Sequence, residues 1–245
     1  MNDSVDENTL TRPAYIDTPT RVYLPLVMRN AGDPYLYDDF NNPAYDGSYN
    51  PAKWRPEGND AFEIKQQGGA LVFSSGNNLP PQQGAGLQLR QPGARSLKQL
   101  QVFEGKLKIS SDHAGGYASV ELFIRADGIA GHNWWTQCML GTSGGSQASF
   151  YCDVTTDPGG VFKVEYSTST PAKLDTWQIF RIEINSATAE LRFYLDSAFI
   201  GNYVPNDAAA LITANTFRPK VTVWNGNAST GATRYVDDVR ITPAQ

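Results

Sequence analysis

The sequence predicts an all-β protein, a sandwich of two antiparallel sheets. Three observations predict it. Apolar and polar residues alternate with period two: Phe180, Ile182 and Ile184 share one side of a strand, and Leu191, Phe193 and Leu195 one side of the next. Turn signals separate these runs, Asn185-Ser186 and Asp196-Ser197 among them. The composition agrees, with Gly 22 and Pro 15 spread along 245 residues and 11% aromatics. Period-two alternation between turn residues marks half-buried antiparallel strands, and this length supports one large sandwich with a sizeable core.

The elements follow in order. Residues 1–34 are polar, contain Thr and Pro, and show no long periodicity, so they read as a linker ahead of a domain over 35–245. Within them, RVYLPLVMRN (21–30) is similar to short YLPLV tracts that border secreted modules in some filamentous bacteria, and reads equally as an edge strand or docking segment. YLYDDF opens the domain as a first strand, and NPAYDGSYNPAKW is a loop that ends by burying Trp54. FEIKQQ and ALVFSSG form a hairpin at Gly68-Gly69, and GLQLRQP follows a Pro-rich loop. LKQLQVFEGKLKIS and GYASVELFIRADG are long strands, continued by WWTQCMLGT, ASFYCDV and VFKVEYSTS. A short helix is expected near Asp207 to Ile212, followed by TFRPKVTVWN and the closing strand RYVDDVRITP.

Charge narrows the partners. The net charge is −5 and only 18% of residues are charged, with no basic stripe to track phosphates or bind an anionic membrane surface. A mildly acidic surface fits a neutral polysaccharide or bound cations, and is ordinary for a soluble protein. Val22 to Met28 is too short to span a bilayer. The start MNDSVDENT lacks the basic and apolar regions of a signal peptide. The two cysteines flank a Gly-rich turn: a hairpin centred on Gly145 sets Cys138 opposite Cys152, which favours a disulfide over two free thiols. That bond, with the fold, favours a processed fragment of a secreted or cell-surface protein.

The order DDF at the first strand, SVELFIRADG in mid-chain, W-x-x-x-R-I-E-I-N at 177–185, LRFYLDSAFIG and a closing VDDVRI resembles the concanavalin A-like lectin and glucanase superfamily, especially its laminin G-like members, over residues 35–243. The resemblance implies a jelly roll of two curved antiparallel sheets whose concave face often binds glycans.

Parity then selects a face. With Val120, Leu122 and Ile124 turned to the core, Glu121 and Arg125 turn away. The same reasoning turns out Trp135 and Gln137, Tyr151 and Asp153, and, with Phe162, Val164 and Tyr166 placed inward, Lys163 and Glu165. Trp224 adds a ring, with Thr222 on the same side. Aromatic rings stack on sugar faces while carboxylates and amides bond hydroxyls, so these nine residues form the expected poly- or oligosaccharide surface.

The glycosidases of the superfamily carry three acids on one strand face as E-x-D-x-E. Here that strand reads S-V-E-L-F, with Glu121 as its only acid. The leading expectation is therefore a non-catalytic carbohydrate-binding or adhesion module. The alternatives are a divergent glycoside hydrolase or polysaccharide lyase that pairs Glu121 with Asp153 or Glu165, and a structural spacer or filament module. His113 and His132 sit in turns outside any lyase motif, and no nucleophile triad, phosphate loop or cysteine-based zinc site is present. Asp38-Asp39 and Asp237-Asp238 lie where terminal strands meet. Asp39, Asp237 and Asp238, helped by Asn41 and Asp60, form a candidate calcium site, with Arg234 and Arg240 as the alternative neutralising groups.

Overall fold

The computed structural model describes residues 35–58, 62–75, 83–90, 95–111, 117–142, 147–226 and 232–243. The expected linker over 1–34 with its YLPLV tract, Asp60, His113 and the tip of the Gly-rich turn at 143–146 lie outside the described residues.

Fifteen strands follow one another in the described chain: β1 (Leu36–Asp38), β2 (Trp54–Gly58), β3 (Phe62–Gln67), β4 (Ala70–Ser75), β5 (Gln83–Leu89), β6 (Val102–Ile109), β7 (Ala118–Ile129), β8 (His132–Thr142), β9 (Ala148–Thr156), β10 (Lys163–Ala172), β11 (Gln178–Ile184), β12 (Leu191–Leu195), β13 (Ala198–Tyr203), β14 (Phe217–Asn225) and β15 (Arg234–Thr242). The expected helix is α1 (Ala208–Thr213), between β13 and β14. The strands build two sheets. One runs β13-β12-β11-β6-β15-β4-β3 with β1 beside β15, and the other runs β10-β9-β8-β7-β14-β5-β2. Neighbours within each sheet are antiparallel, so the first and last strands do meet, Leu36 opposite Arg240.

Local chemistry explains the turns. Gly68 and Gly69 both take positive φ between β3 and β4, and Asp196 and Ser197 do so between β12 and β13. Such paired left-handed residues match the twist of the flanking strands. The Asn185 side chain accepts from the amides of Ala187 and Thr188 after β11. Beyond expectation, WRPEG is a strand: β2 pairs with β5, and Trp54 is fully buried.

The inward parity holds for the long strands. Val120, Leu122, Ile124, Leu140, Phe150 and Val154 meet Phe103, Leu107, Phe180, Ile182 and Phe193 from the opposite sheet, all fully buried. Burying one such side chain contributes about 1.5–3 kcal/mol, so this layer dominates stability. Phe150 and Phe180 cross the gap edge-on at 4.7 Å. At one rim Tyr166 of β10 stacks on Phe193 and Tyr203, joining the edge strands β10 and β13. Cys138 and Cys152 are opposite each other in β8 and β9 and form the disulfide, with Cα atoms 4.2 Å apart, the close spacing of a non-hydrogen-bonded pair. Arg234, fully buried, reaches from β15 to the Asn225 amide oxygen on the other sheet and donates to the Ala232 carbonyl. Burial pulls its pKa down to about 10. It therefore ties the sheets together and does not neutralise the aspartates.

Candidate active site on the seven-stranded sheet

The outer face of the seven-stranded sheet is organised in cross-strand rows. One row runs Glu57, Gly86, Thr222, Glu121, Met139, Tyr151, and the next Gln88, Lys220, Phe123, Gln137, Asp153, Ser167. Over them opens a cleft of about 540 Å3, lined by Glu57, Gly84, Gly86, Tyr117, Glu121, Phe123, Gln137, Met139, Lys220, Thr222 and Trp224 among others. This volume suits a small-molecule or oligomer site.

The cleft has its depth because β5 supplies almost no side chains there. A Cβ on Gly84 would stand 2.6 Å from the Trp224 ring, and one on Gly86 would stand 2.7 Å from the Thr222 methyl. Glycine at both positions lets the Trp224 indole lie down on the strand, 40% exposed, as a stacking floor. Lys220 sits 4.5 Å from the Phe123 ring centre and pairs with Glu57 at 3.2 Å.

Glu121 is buried at the centre. The Ser119 hydroxyl donates to one of its oxygens at 2.5 Å and the Thr222 hydroxyl to the other at 2.7 Å. Both of its oxygens are thus held by hydroxyl donors within the sheet face. Asp153, two strands away and also buried, accepts from Gln137 at 2.8 Å and from Thr155 at 3.3 Å. Burial first, and then repulsion from Glu121, lift its pKa to about 6 against the pull of those hydrogen bonds. Tyr117 donates to the Met139 sulfur, and burial followed by the Glu121 charge pushes its phenol up to about 12. A hydroxyl-bonded carboxyl group and, two strands away, a carboxyl group whose pKa is lifted to about 6 are a pair of acids in different environments on one face, the arrangement from which acid–base roles are divided.

The expected surface is partly assembled. Glu121, Gln137 and Trp224 line the cleft. Tyr151 and Asp153 adjoin it on the same face, and a hollow of about 290 Å3 beside Tyr117 includes Tyr151. Trp135 and Arg125 face each other farther along, and Arg125 bonds Asp127 at 2.7 Å. Trp134 is the buried member of its pair, edge-on to Phe217. Lys163 and Glu165 are corrections. A bulge in β10 between Val164 and Tyr166 makes Glu165 an extra residue and reverses parity before it. Phe162 and Val164 are therefore exposed at 76% and 56% instead of buried. Lys163 is exposed outside the cleft, and Glu165 turns to the Tyr203 hydroxyl and the Asn206 amide, both at 3.5 Å.

The aspartate pairs are likewise occupied one by one. Asp38 accepts from the Trp54 indole at 2.6 Å and pairs with Lys53, while Asp39 accepts from the Asn41 amide. Asp237 accepts from the Asp238 amide, and Asp238 pairs with Lys106. Lysines thus hold two of the four carboxylates, and Arg240 pairs with Glu104 at 3.3 Å. Among the described residues no group of three or more His, Cys, Asp or Glu is set to hold a metal ion. His132 bonds Asp207 at 2.8 Å, fastening the hairpin of β7 and β8 to the start of α1.

No protein-family model and no curated protein matches the chain. Solved structures do. A laminarinase from Flavobacterium sp. UMI-01 is 11% identical, with TM-score 0.59 over 83% of this chain and 97% of that one. The laminarinase catalytic domain of Thermotoga maritima MSB8 is 15% identical (TM-score 0.56, 84% and 96%), and the Bacillus licheniformis β-glucanase 14% identical (TM-score 0.53, 84% and 96%). The chain has the concanavalin A-like jelly-roll fold. Its jelly roll matches hydrolases of this superfamily along almost their whole length, and these three are glucanases and not laminin G-like domains. This corrects the leading expectation of a non-catalytic binding or adhesion module; the enzyme alternative is the one the comparisons favour.

Sequence parity missed Tyr117, Lys220, Glu57 and the two glycines. Lys220 shares a strand side with Thr222 and Trp224, and QGAGLQL carries glycine at alternate positions, so both signals were in the chain. Tyr117 follows the Gly-rich stretch SSDHAGG in the sequence and carries no such mark.

Proposed function

We propose that the protein is a glycoside hydrolase that cuts a β-glucan laid along the cleft. The observation that carries this reading is the pairing, on the lining and flank of one cleft, of a hydroxyl-bonded Glu121 with an Asp153 lifted to about 6. Laminarinases and a β-glucanase among the similar structures support the substrate class.

The strand that carries Glu121 has Ser119 and Phe123 in the flanking positions, and its other acid, Asp127, lies six residues on and pairs with Arg125 and Arg218, so it holds no second acid beside Glu121 for a double displacement. Two strand spacings of about 4.8 Å set the backbones of Glu121 and Asp153 roughly 10 Å apart, with a further offset along the strands. That backbone span is wider than a retaining pair needs, whose carboxyl groups stand about 5–5.5 Å apart, so we assign the two side chains, reaching toward each other across the face, to an inverting pair, which holds a water between carboxyl groups about 6.5–9.5 Å apart. Asp153 protonates the leaving glycosidic oxygen, Glu121 takes a proton from the attacking water, and Trp224 stacks under a neighbouring sugar.

Incubation with laminarin and with mixed-linkage β-glucan tests the reading. New reducing ends are expected, with the α-anomer released first in the proton NMR spectrum. Absence of product from both glucans over a range of pH from 4 to 8 rejects it. The disulfide between β8 and β9 supports secretion or surface display. No helix among the described residues is long and apolar enough to cross a membrane.

A further inference from the structure

The bulge in β10 does more than displace Glu165. β10 is the edge of the seven-stranded sheet, and the parity change ahead of the bulge brings Phe162 and Val164 out of the core. Bulges at sheet edges re-aim side chains in this way. Phe162 then meets Trp135, ring centres 5.4 Å apart and edge to face. Trp135 stands on the same outer face as Glu121 and Trp224, opposite Arg125 on β7, and Val161 next to Phe162 is 68% exposed. An aromatic pair with one ring open to solvent, continuous with a catalytic face, is an uncommon use of phenylalanine on a soluble surface.

Its position relative to the cleft defines what it fits. Trp224 lies opposite Ser119 on β7, and Trp135 opposite Arg125. Six residues along a strand span about 20 Å, and two strand spacings add about 10 Å across. The two aromatic floors thus mark the ends of a diagonal that passes Glu121, Phe123 and Gln137. A single sugar cannot touch both, and a chain of several can.

We propose that Trp135 and Phe162 form a distal stacking subsite for a polysaccharide chain leaving the cleft, so that the protein acts on long chains in preference to short ones. This rests on the β-glucan hydrolase reading for its substrate class. The occupant is a glucan and not a second copy of this chain, because the exposed ring pairs with a tryptophan on the cleft face, in line with Trp224.

Phe162→Ser and Trp135→Ser test it, with Phe162 the safer change because its ring is largely exposed. Binding by calorimetry and hydrolysis are both measured on laminaritriose and on laminarin, with the melting curve and elution volume as controls. The expected result is about a tenfold rise in Kd and KM for laminarin, with the trisaccharide unchanged. Equal losses on both saccharides, or none on either, overturn the subsite. A dimer that Phe162→Ser converts to a monomer, with laminarin binding unchanged, overturns it in favour of self-association. Length-dependent binding by a wild-type protein that hydrolyses nothing leaves the subsite standing and removes the hydrolase reading. Hydrolysis unaffected by Phe162→Ser does the reverse.

Discussion

The two sheets present outer faces of similar alternating sequence, and they treat carboxylates in opposite ways. On the eight-stranded sheet the glutamates are answered by cations: Glu183 by Arg181 at 3.1 Å, Glu190 by Arg192 at 3.0 Å, Glu104 by Arg240 at 3.3 Å, and Glu63 by Lys65 at 3.0 Å. Even the rings there are taken, with Lys108 over both Trp177 and Tyr235. At the centre of the seven-stranded sheet Glu121 and Asp153 are bonded by hydroxyls and an amide, with no cation between them. Cations appear at the flanks, as Lys220 with Glu57 and Arg218 with Asp127. A paired acid is chemically spent; an acid held by neutral donors keeps its capacity to exchange protons.

The largest effect that tests this contrast is on turnover. Glu121→Gln should lower β-glucan hydrolysis by about a thousandfold, in the range of a lost general base. Glu183→Gln on the other face should leave it within twofold. Comparable losses from the two substitutions would erase the distinction between the faces.

Next in size is the pH dependence of stability. The folded pKa of Asp153, about 6, lies above its unfolded value, so between pH 4 and 6 the folded state holds more proton than the unfolded one. Stability from this group is therefore present at pH 4 and is lost as pH rises through 6, by about 3 kcal/mol in full. Urea melts at pH 4.5 and 7.5 should show the fall in the wild type and a flatter response in Asp153→Asn. An unchanged difference in the variant would assign the trend to other groups.

A smaller effect comes from the disulfide, which joins β8 to β9, the strands that carry Gln137 and Asp153. Chain entropy for a loop of this size gives about 3 kcal/mol, and a tight hairpin restrains its own ends, so about 2 kcal/mol is expected on reduction. The readout is the melting temperature with and without reductant, checked by thiol labelling. Two reactive thiols in the unreduced protein would contradict the bond.

The smallest effect belongs to the paired face. Removing Arg192 from its bond with Glu190, where the arginine side chain is 51% exposed, should leave the urea midpoint essentially where it is in the wild type. A marked fall in the midpoint there would mean that the salt-bridged face is structural in a way its exposure does not convey.

Much of this was legible in the sequence. Strands with clean alternation, such as those holding Ile182 and Leu122, declare which side is buried, because a slip of one residue would turn the whole apolar set to water. The helix near Ala208, the Cys138–Cys152 bond and the Trp54 burial were readable for similar local reasons. The bulge at Glu165 was not, since an extra residue on an edge strand leaves no mark in the alternation it interrupts. The partners of the aspartate pairs were not legible either, because adjacency in sequence says nothing about partners: Lys53 and Lys106, distant in the chain, pair with Asp38 and Asp238. Glu121 was found by parity, but the hydroxyls that hold it, one of them 101 residues away on β14, are a product of sheet order.

The placement of the five tryptophans has a practical consequence. Trp54 and Trp134 are sealed in the interior and should emit at short wavelength whatever the solvent contains. Trp177 lies on the far face beneath Lys108, away from any sugar in the cleft. Trp224 and Trp135 mark the two ends of the proposed glucan path. The protein thus carries its own optical gauge. A ligand confined to the cleft should shift only the Trp224 emission and its accessibility to acrylamide, and one that runs the full diagonal should shift both, against a constant background from the buried pair.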